Sequence, residues 1–249
     1  MADIDAEKRA KLEERLKLML KKAESTTPAE AEMIMGQVEK LMLKLGIDDI
    51  MALSTLGEKK EDISSIEIAF EGVYAKSWVH MAYAVVMALG EMRGISATVY
   101  GKNWKKIGLK LIVVGYEADV KRAKVLVDSL SLQCVTATTA HMLDFNVNVW
   151  NASASDKYNQ KRSFIVGFGA GAADRIKKIR KEVVQEADTA TPGTFLILAS
   201  RAQMVDTRFV EMFQGSTRKT AGMKIRHSGY DSGVVAGRQA RTGEQEVRG

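Results

Sequence analysis

Apolar positions along the chain switch between two periods. Leu12, Leu16, Met19 and Leu20 recur three and four apart, which predicts a helix over 6–23. Thr27-Pro28-Ala29-Glu30 is a start signal for a second helix over 28–45: Thr27 can cap it, Pro28 takes the first position and Glu30 closes a capping box. Met33, Val38, Leu41, Met42 and Leu45 supply its apolar side, and Gly46 stops it. A turn this short makes the two helices antiparallel neighbours. Such a hairpin buries too little alone, so its apolar side needs the rest of the chain, a partner, or a second copy as a homo-oligomer contact.

After the polar stretch 54–62, the period changes to two. Residues 64–70 (SSIEIAF) alternate as a half-buried strand does, and Glu71-Gly72 turns the chain. Residues 77–92 read as a buried helix stopped by Gly94. Residues 95–100 and 109–116 read as two strands around the polar loop GKNWKK, and the β-branched run LKLIVVGY is expected at the centre of a sheet. A long helix over 117–143 follows, with Val120, Ala123, Leu126, Val127, Leu130 and Cys134 as its inner stripe. Residues 144–162, polar and rich in Asn and Ser, read as a loop, and 164–186 as a helix with Gly167, Gly169 and Gly171 in its first turns. Residues 194–199 (TFLILA) read as a short strand, with Ser200 capping a last helix to Phe213. The expected fold class is α+β: an N-terminal antiparallel helical hairpin over 1–53, a mixed domain with a small sheet over 63–214, and a basic, flexible tail over 215–249. The small residues of that tail can also pack as a helix on the core.

Composition narrows the setting. No stretch approaches the roughly 20 apolar residues that cross a bilayer. The start MADIDAEKRAK has no apolar signal core. The single Cys134 excludes an intramolecular disulfide and suits a reducing compartment, so a cytoplasmic protein without a membrane partner is expected.

Charge then locates a partner. The net charge is +6 and the pI about 9.2, but the excess is uneven. Residues 1–24 hold seven basic against six acidic side chains, whereas 157–181 hold eight basic against Asp174 alone and 215–249 hold seven against three. Nucleic acid is the simplest anionic partner. The candidate contacts are Lys161, Arg162, Arg175, Lys177, Lys178, Arg180 and Lys181, then Arg218, Lys219, Lys224, Arg226 and Arg238 in the tail. In the run RIKKIRK, Ile176 and Ile179 are expected to face inward. Arg175, Lys178 and Lys181 are expected to share an outer face, as phosphate contacts require; a plain solvated helix face is the other reading. Lys102, Trp104, Lys105 and Lys106 set an aromatic among cations, a single-strand contact pattern. The same loop also reads as an ordinary hairpin turn with Trp104 folded back on the sheet, which is the favoured expectation.

Catalytic signals are weak. Gly167-Phe168-Gly169-Ala170-Gly171-Ala172-Ala173-Asp174 has the wrong spacing for a dinucleotide fingerprint and is better explained by close helix packing. His80, His141 and His227 lie far apart, and His80 on an apolar helix reads as a core residue. No catalytic residue, metal ligand or cofactor is assigned. A carboxylate site gathered in space from Asp62, Asp119 or Asp174 is the enzyme alternative, as a metal-dependent nucleotide or nucleic-acid hydrolase.

The hairpin carries a family signature. Lys21, Ala23, Glu24, Ser25, Thr26, Pro28, Glu30, Ala31, Glu32, Leu41, Met42, Gly46 and Ile47 resemble the domain of unknown function 2786 family, whose members occur in bacteriophages, prophages and some bacterial chromosomes. The Trp78-led helix, VVGYEADVKRAK, SFIVGFGAG and the tail pattern Y-x-x-G-x-x-A-G-R at 230–238 look like its longer phage members. Gly36 departs from the continuous Ala-rich helix expected there. The resemblance implies a phage or prophage accessory protein in the bacterial cytoplasm and carries over no catalytic residue. The expected role is binding of nucleic acid, or of a complex that handles it. A host-takeover or anti-defence protein, binding a host protein through the Met-rich hairpin (Met19, Met33, Met35, Met42), is the alternative.

Overall fold

A computed structural model describes residues 62–190, 192–215, 223 and 225–240, with single helical positions between 14 and 44. The expected hairpin over 1–53 otherwise lies outside the described residues, as do Arg218, Lys219 and Lys224.

The fold is mixed α and β. Strand β1 (Ile63–Glu71) leads to helix α1 (Ala75–Leu89), then β2 (Arg93–Tyr100) and β3 (Lys106–Tyr116). Four helices follow: α2 (Glu117–Asn148), α3 (Ala154–Ala190), α4 (Thr194–Phe213) and α5 (His227–Gln239). The sheet has three strands in the order β1-β3-β2, antiparallel throughout. The KLIVVGY run is therefore central, and it is apolar on both faces because both are covered. Leu111 and Val113 enter the main core with Met81, Ala82, Val85 and Val86 of α1, Val120, Leu126 and Leu130 of α2, and Phe164, Phe168 and Ile176 of α3. Val114 and Tyr116 meet Val205 of α4, with Ile63, Phe209 and Phe213 beside them. Each such side chain fully buried stabilises by about 1.5–3 kcal/mol.

Helix α1 is stopped by Gly90, four residues before the expected stop at Gly94. The Gly90 φ of 103° is left-handed, and a Cβ there would meet the Arg180 guanidinium at 2.5 Å. His80 is a correction: it is exposed rather than part of the core.

Residues 144–162 are not a loop. Helix α2 runs on to Asn148 and α3 starts at Ala154, leaving a short connection. The start of α3 is fixed by Ser153, whose hydroxyl accepts from the Asp156 N–H (3.1 Å) and donates to the Asp156 carboxylate (2.7 Å). The polar composition reflects exposure of both helix ends.

Residues 194–199 are not a strand, and Ser200 caps nothing; both belong to α4. The carboxylate of Asp188 accepts from Gly193 N–H (3.1 Å) and Phe195 N–H (3.4 Å), a negative group on a helix N-terminus. Arg201 then locks α4 onto the sheet. It is 8% exposed, lies 3.5 Å from the Tyr116 ring centroid and pairs with Asp119 at 3.0 Å.

The expected flexible tail is helical over 227–239: these residues form α5, the small-residue helix of the other reading, and it runs parallel to α3. Gly167 and Gly171 of α3 face the α5 backbone, and Gly229, Gly233 and Gly237 of α5 face α3. A Cβ on Gly167 would strike the Tyr230 carbonyl, one on Gly233 the Phe164 carbonyl, and one on Gly237 the Phe168 carbonyl. Gly169 lies on the other side of α3, where a Cβ would fall 2.6 Å from Met81 Cα of α1. One helix thus touches a neighbour on each side with almost no side chain between, which requires glycine at alternate positions. Five glycines at this contact cost about 5 kcal/mol in helix propensity, about 1 each. Close backbone packing and Cα–H···O contacts must offset that. The packing reading of the G-x-G-x-G run therefore holds.

Candidate nucleic-acid interface

The basic side chains of 157–181 sit on one helix, so they are spread along it rather than gathered. At 1.5 Å per residue, Lys161 and Lys181 are about 30 Å apart along the axis. Packing of α1 and α5 along α3 then divides the cations by task.

At the far end of α3, Lys177, Lys178 and Lys181 are exposed, Ile176 is buried and Ile179 half-buried. Arg175 does not share their face. Its guanidinium donates to the carbonyls of Gly237 (3.0 Å) and Ala240, closing the C-terminus of α5 where a cation meets the negative end of the helix dipole. Arg180 is ion-paired with Glu91 just after α1, both side chains mostly buried. Arg238 pairs with Asp174 at 2.9 Å, and Arg226 with Asp156 at 2.6 Å. The structure thus commits Arg175 and Arg180 to holding helices together, while the Arg226 and Arg238 pairs lie at the surface and Lys177, Lys178 and Lys181 face solvent. Guanidinium groups suit this work because their fork satisfies two acceptors at once.

At the near end, the β2–β3 tip and the start of α3 meet the β1–α1 turn. Gly72 N–H donates to the Ile107 carbonyl (3.1 Å), fixing the tip against that turn. Tyr74, two residues on, stacks on Tyr158 of α3 at 5.2 Å. The Tyr158 hydroxyl donates to the Val73 carbonyl at 3.3 Å. Lys161 lies 5.0 Å from the Tyr74 ring and Arg162 5.7 Å from the Tyr158 ring, so each tyrosine has its own cation. Burial, and then Tyr158 beside it, raises the Tyr74 phenol above its ordinary range and keeps it neutral.

The tip itself is a single 3-10 turn over Lys102–Trp104, closed by Gly101 N–H donating to the Lys105 carbonyl at 2.8 Å. Asn103 and Trp104 both hold positive φ, 60° and 56°. A left-handed backbone is unusual for a bulky residue and costs free energy that the hairpin must supply. Trp104 does not fold back on the sheet, contrary to the favoured expectation: it is 84% exposed. Its ring is braced on one side by Tyr100, with centroids 5.9 Å apart and planes tilted by 60°. Lys102, Lys105 and Lys106 are exposed around it.

The sequence picked out the tip and the α3 lysines but not Tyr74 and Tyr158, which come from segments far apart. Their one signal was rarity, since aromatic residues make up 6% of the chain.

Of the carboxylates of the enzyme alternative, Asp119 is paired with Arg122 (2.9 Å) and Arg201, and Asp174 with Arg238, while the Asp62 carbonyl accepts from Glu117 N–H at the start of α2. Among the described residues no group of three or more His, Cys, Asp or Glu side chains is placed to hold a metal ion. No helix among them is long and apolar enough to cross a membrane. Cys134 is buried against Thr138 (3.7 Å), and that burial pushes its thiol up to about 12.

A second surface stands apart from the cations. Leu132, Val135, Leu143 and Val147 on the outer side of α2, with Trp150 after it, are exposed, Trp150 by 82%.

A scan against family models, a search of curated proteins and a search of solved structures found no match for this chain.

Proposed function

We propose that the chain is a phage or prophage accessory protein that acts in the bacterial cytoplasm and binds nucleic acid without catalysing a reaction. One observation carries the reading: the exposed lysines of the tip stand around an uncovered Trp104, at the end of the molecule where Lys161 and Arg162 each lie over one of two stacked tyrosines. Phosphates are met by cations that release condensed counterions, and affinity then falls steeply with salt. Lys177, Lys178 and Lys181 add a second cationic stretch about 30 Å along α3. The phage setting rests on the resemblance of residues 21–47 and has no bearing on the contacts.

The test is an electrophoretic-mobility titration at rising salt. Replacing Lys102, Lys105 and Lys106 together by Glu should weaken binding at low salt by at least about tenfold, and triple neutralisation should reduce the slope of log affinity against log salt by about 2–3. Binding that is absent at low salt, or unchanged by the charge reversal, overturns the reading.

The outer face of α2 supports a second reading, in which the target is a host protein held through Leu132, Leu143, Val147 and Trp150. A partner retained through nuclease and high salt, and lost on replacing Leu143 and Val147 by Asp, would favour it.

A further inference from the structure

Three features of the β2–β3 tip converge on one ligand class. The indole of Trp104 is 84% exposed, more than any other large apolar side chain described. Its backbone, with that of Asn103, is held in the left-handed region, so the exposed indole belongs to a shaped turn. Such outliers persist only where the surroundings impose them, and they concentrate at binding and switching sites. The surroundings here are the Gly101–Lys105 hydrogen bond, the Gly72–Ile107 hydrogen bond that ties the hairpin to the β1–α1 turn, and the Tyr100 ring.

We propose that this tip is a stacking platform for one unpaired base, and that the nucleic acid the protein takes is single-stranded. This rests on the nucleic-acid reading above and specifies it. Tyr100 meets the indole at a tilt of 60° rather than stacked on it, and the indole stays 84% exposed, so ring surface is open to a ligand ring. Lys102, Lys105 and Lys106 lie around that ring with no acidic side chain anywhere in 101–107, so the flanking phosphates of a strand meet cations. A base in a duplex has its faces covered by its neighbours, whereas an unpaired base offers a free face to an aromatic ring. A protein hot spot has a different rim: it is sealed by contacts that exclude water, and cation-rich flanks do not supply them. Beside the β1–α1 turn, Tyr74 and Tyr158 are already stacked on each other, and Lys161 over the Tyr74 ring adds a cation for the backbone.

The test uses the full chain and fluorescein-labelled oligonucleotides read by anisotropy: a 20-nucleotide oligothymidylate and a blunt duplex of similar charge. The wild type should bind the single strand more tightly than the duplex. W104A should lose about tenfold or more on the single strand, the size of one base–aromatic stack, and change little on the duplex, while W104F keeps most of the affinity. The thermal melts of both variants should match the wild type, because the indole is exposed. If neither oligonucleotide binds at low salt, the nucleic-acid reading itself fails. If both bind but W104A is indistinguishable from wild type, or the duplex is preferred, that reading stands and the stacking platform is wrong. Equal W104A loss on vesicles rich in anionic lipid, without loss on the oligothymidylate, would likewise overturn the platform in favour of a membrane-surface contact.

Discussion

The α3–α5 interface and the β2–β3 tip are opposite solutions to placing a backbone. At the first, Gly167, Gly171, Gly229, Gly233 and Gly237 are buried where two helices touch, and any side chain would collide with a carbonyl. At the second, the largest of side chains sits uncovered on a backbone shape that most residues avoid. In one place the chain gives up side chains to gain contact; in the other it accepts strain to hold a side chain away from contact. Only the first arrangement stabilises the fold, so the two should respond to substitution in opposite ways.

The largest effect is expected at the interface. Gly233→Leu, facing Phe164 O and Phe168 N, should destabilise by about 3 kcal/mol or more, since neither backbone can move aside. Denaturant unfolding measures this, and a loss below about 1 kcal/mol would mean the helices are not in backbone contact. Arg175→Ala should come next, at about 1–2 kcal/mol, because it removes the charged group closing α5. Amide exchange should show the loss concentrated in 234–240. At the tip, W104A should alter stability by no more than about 0.5 kcal/mol. Trp104→Gly should be no less stable than W104A, because glycine accepts the left-handed conformation freely.

The smallest effect is a pH dependence at the interface side. His141 stacks on Phe164 (4.6 Å) and hydrogen-bonds Gln160 (3.0 Å), which in turn accepts from Ser228 of α5 (3.2 Å). Burial lowers the His141 pKa from 6.5, with Asp144 opposing. A depressed histidine favours folding in its neutral form, so its contribution is complete above 6.5 and is lost as pH falls from there toward the folded value. The melting temperature of the wild type should therefore drop more between pH 7.5 and pH 5 than that of His141→Gln. Cys134 gives a chemical check on the same core: with its thiol pushed up to about 12, it should resist alkylation at pH 8 until the chain is unfolded.

Where side chains carry the contact, the sequence was readable. The period-two run of β1, the β-branched run of β3 and the stripe from Val120 to Cys134 predicted the sheet and α2, because burial there is by apolar side chains. Where the backbone or a polar cap carries it, hydrophobic pattern was blind. Helix α5 buries glycine, which has no side chain to register, so it read as a tail. The first turn of α4 read as a strand because Phe195 and Leu196 are apolar yet exposed, while its cap, Asp188, lies at the end of the preceding helix. The start of α3 had a legible sign, Ser153-Ala154-Ser155-Asp156, which the surrounding Asn and Ser obscured. At the candidate interface, charge counting singled out α3. It could not separate Arg175 and Arg180, which tie helices, from the lysines that face solvent, since that depends on which neighbours α3 meets.

The order in which the chain leaves the ribosome gives the glycine face of α3 a further meaning. Gly167 and Gly171 are made well before their partners Gly229 to Gly237, and at about 5–20 residues per second the wait is roughly 3–13 s. During that interval a conventional interface would present leucines and valines to every other nascent chain nearby. A face of glycine presents bare backbone already hydrogen-bonded within its own helix. The late arrival of α5 therefore leaves little sticky surface exposed in the meantime, and closure of the fold awaits shape rather than hydrophobic capture.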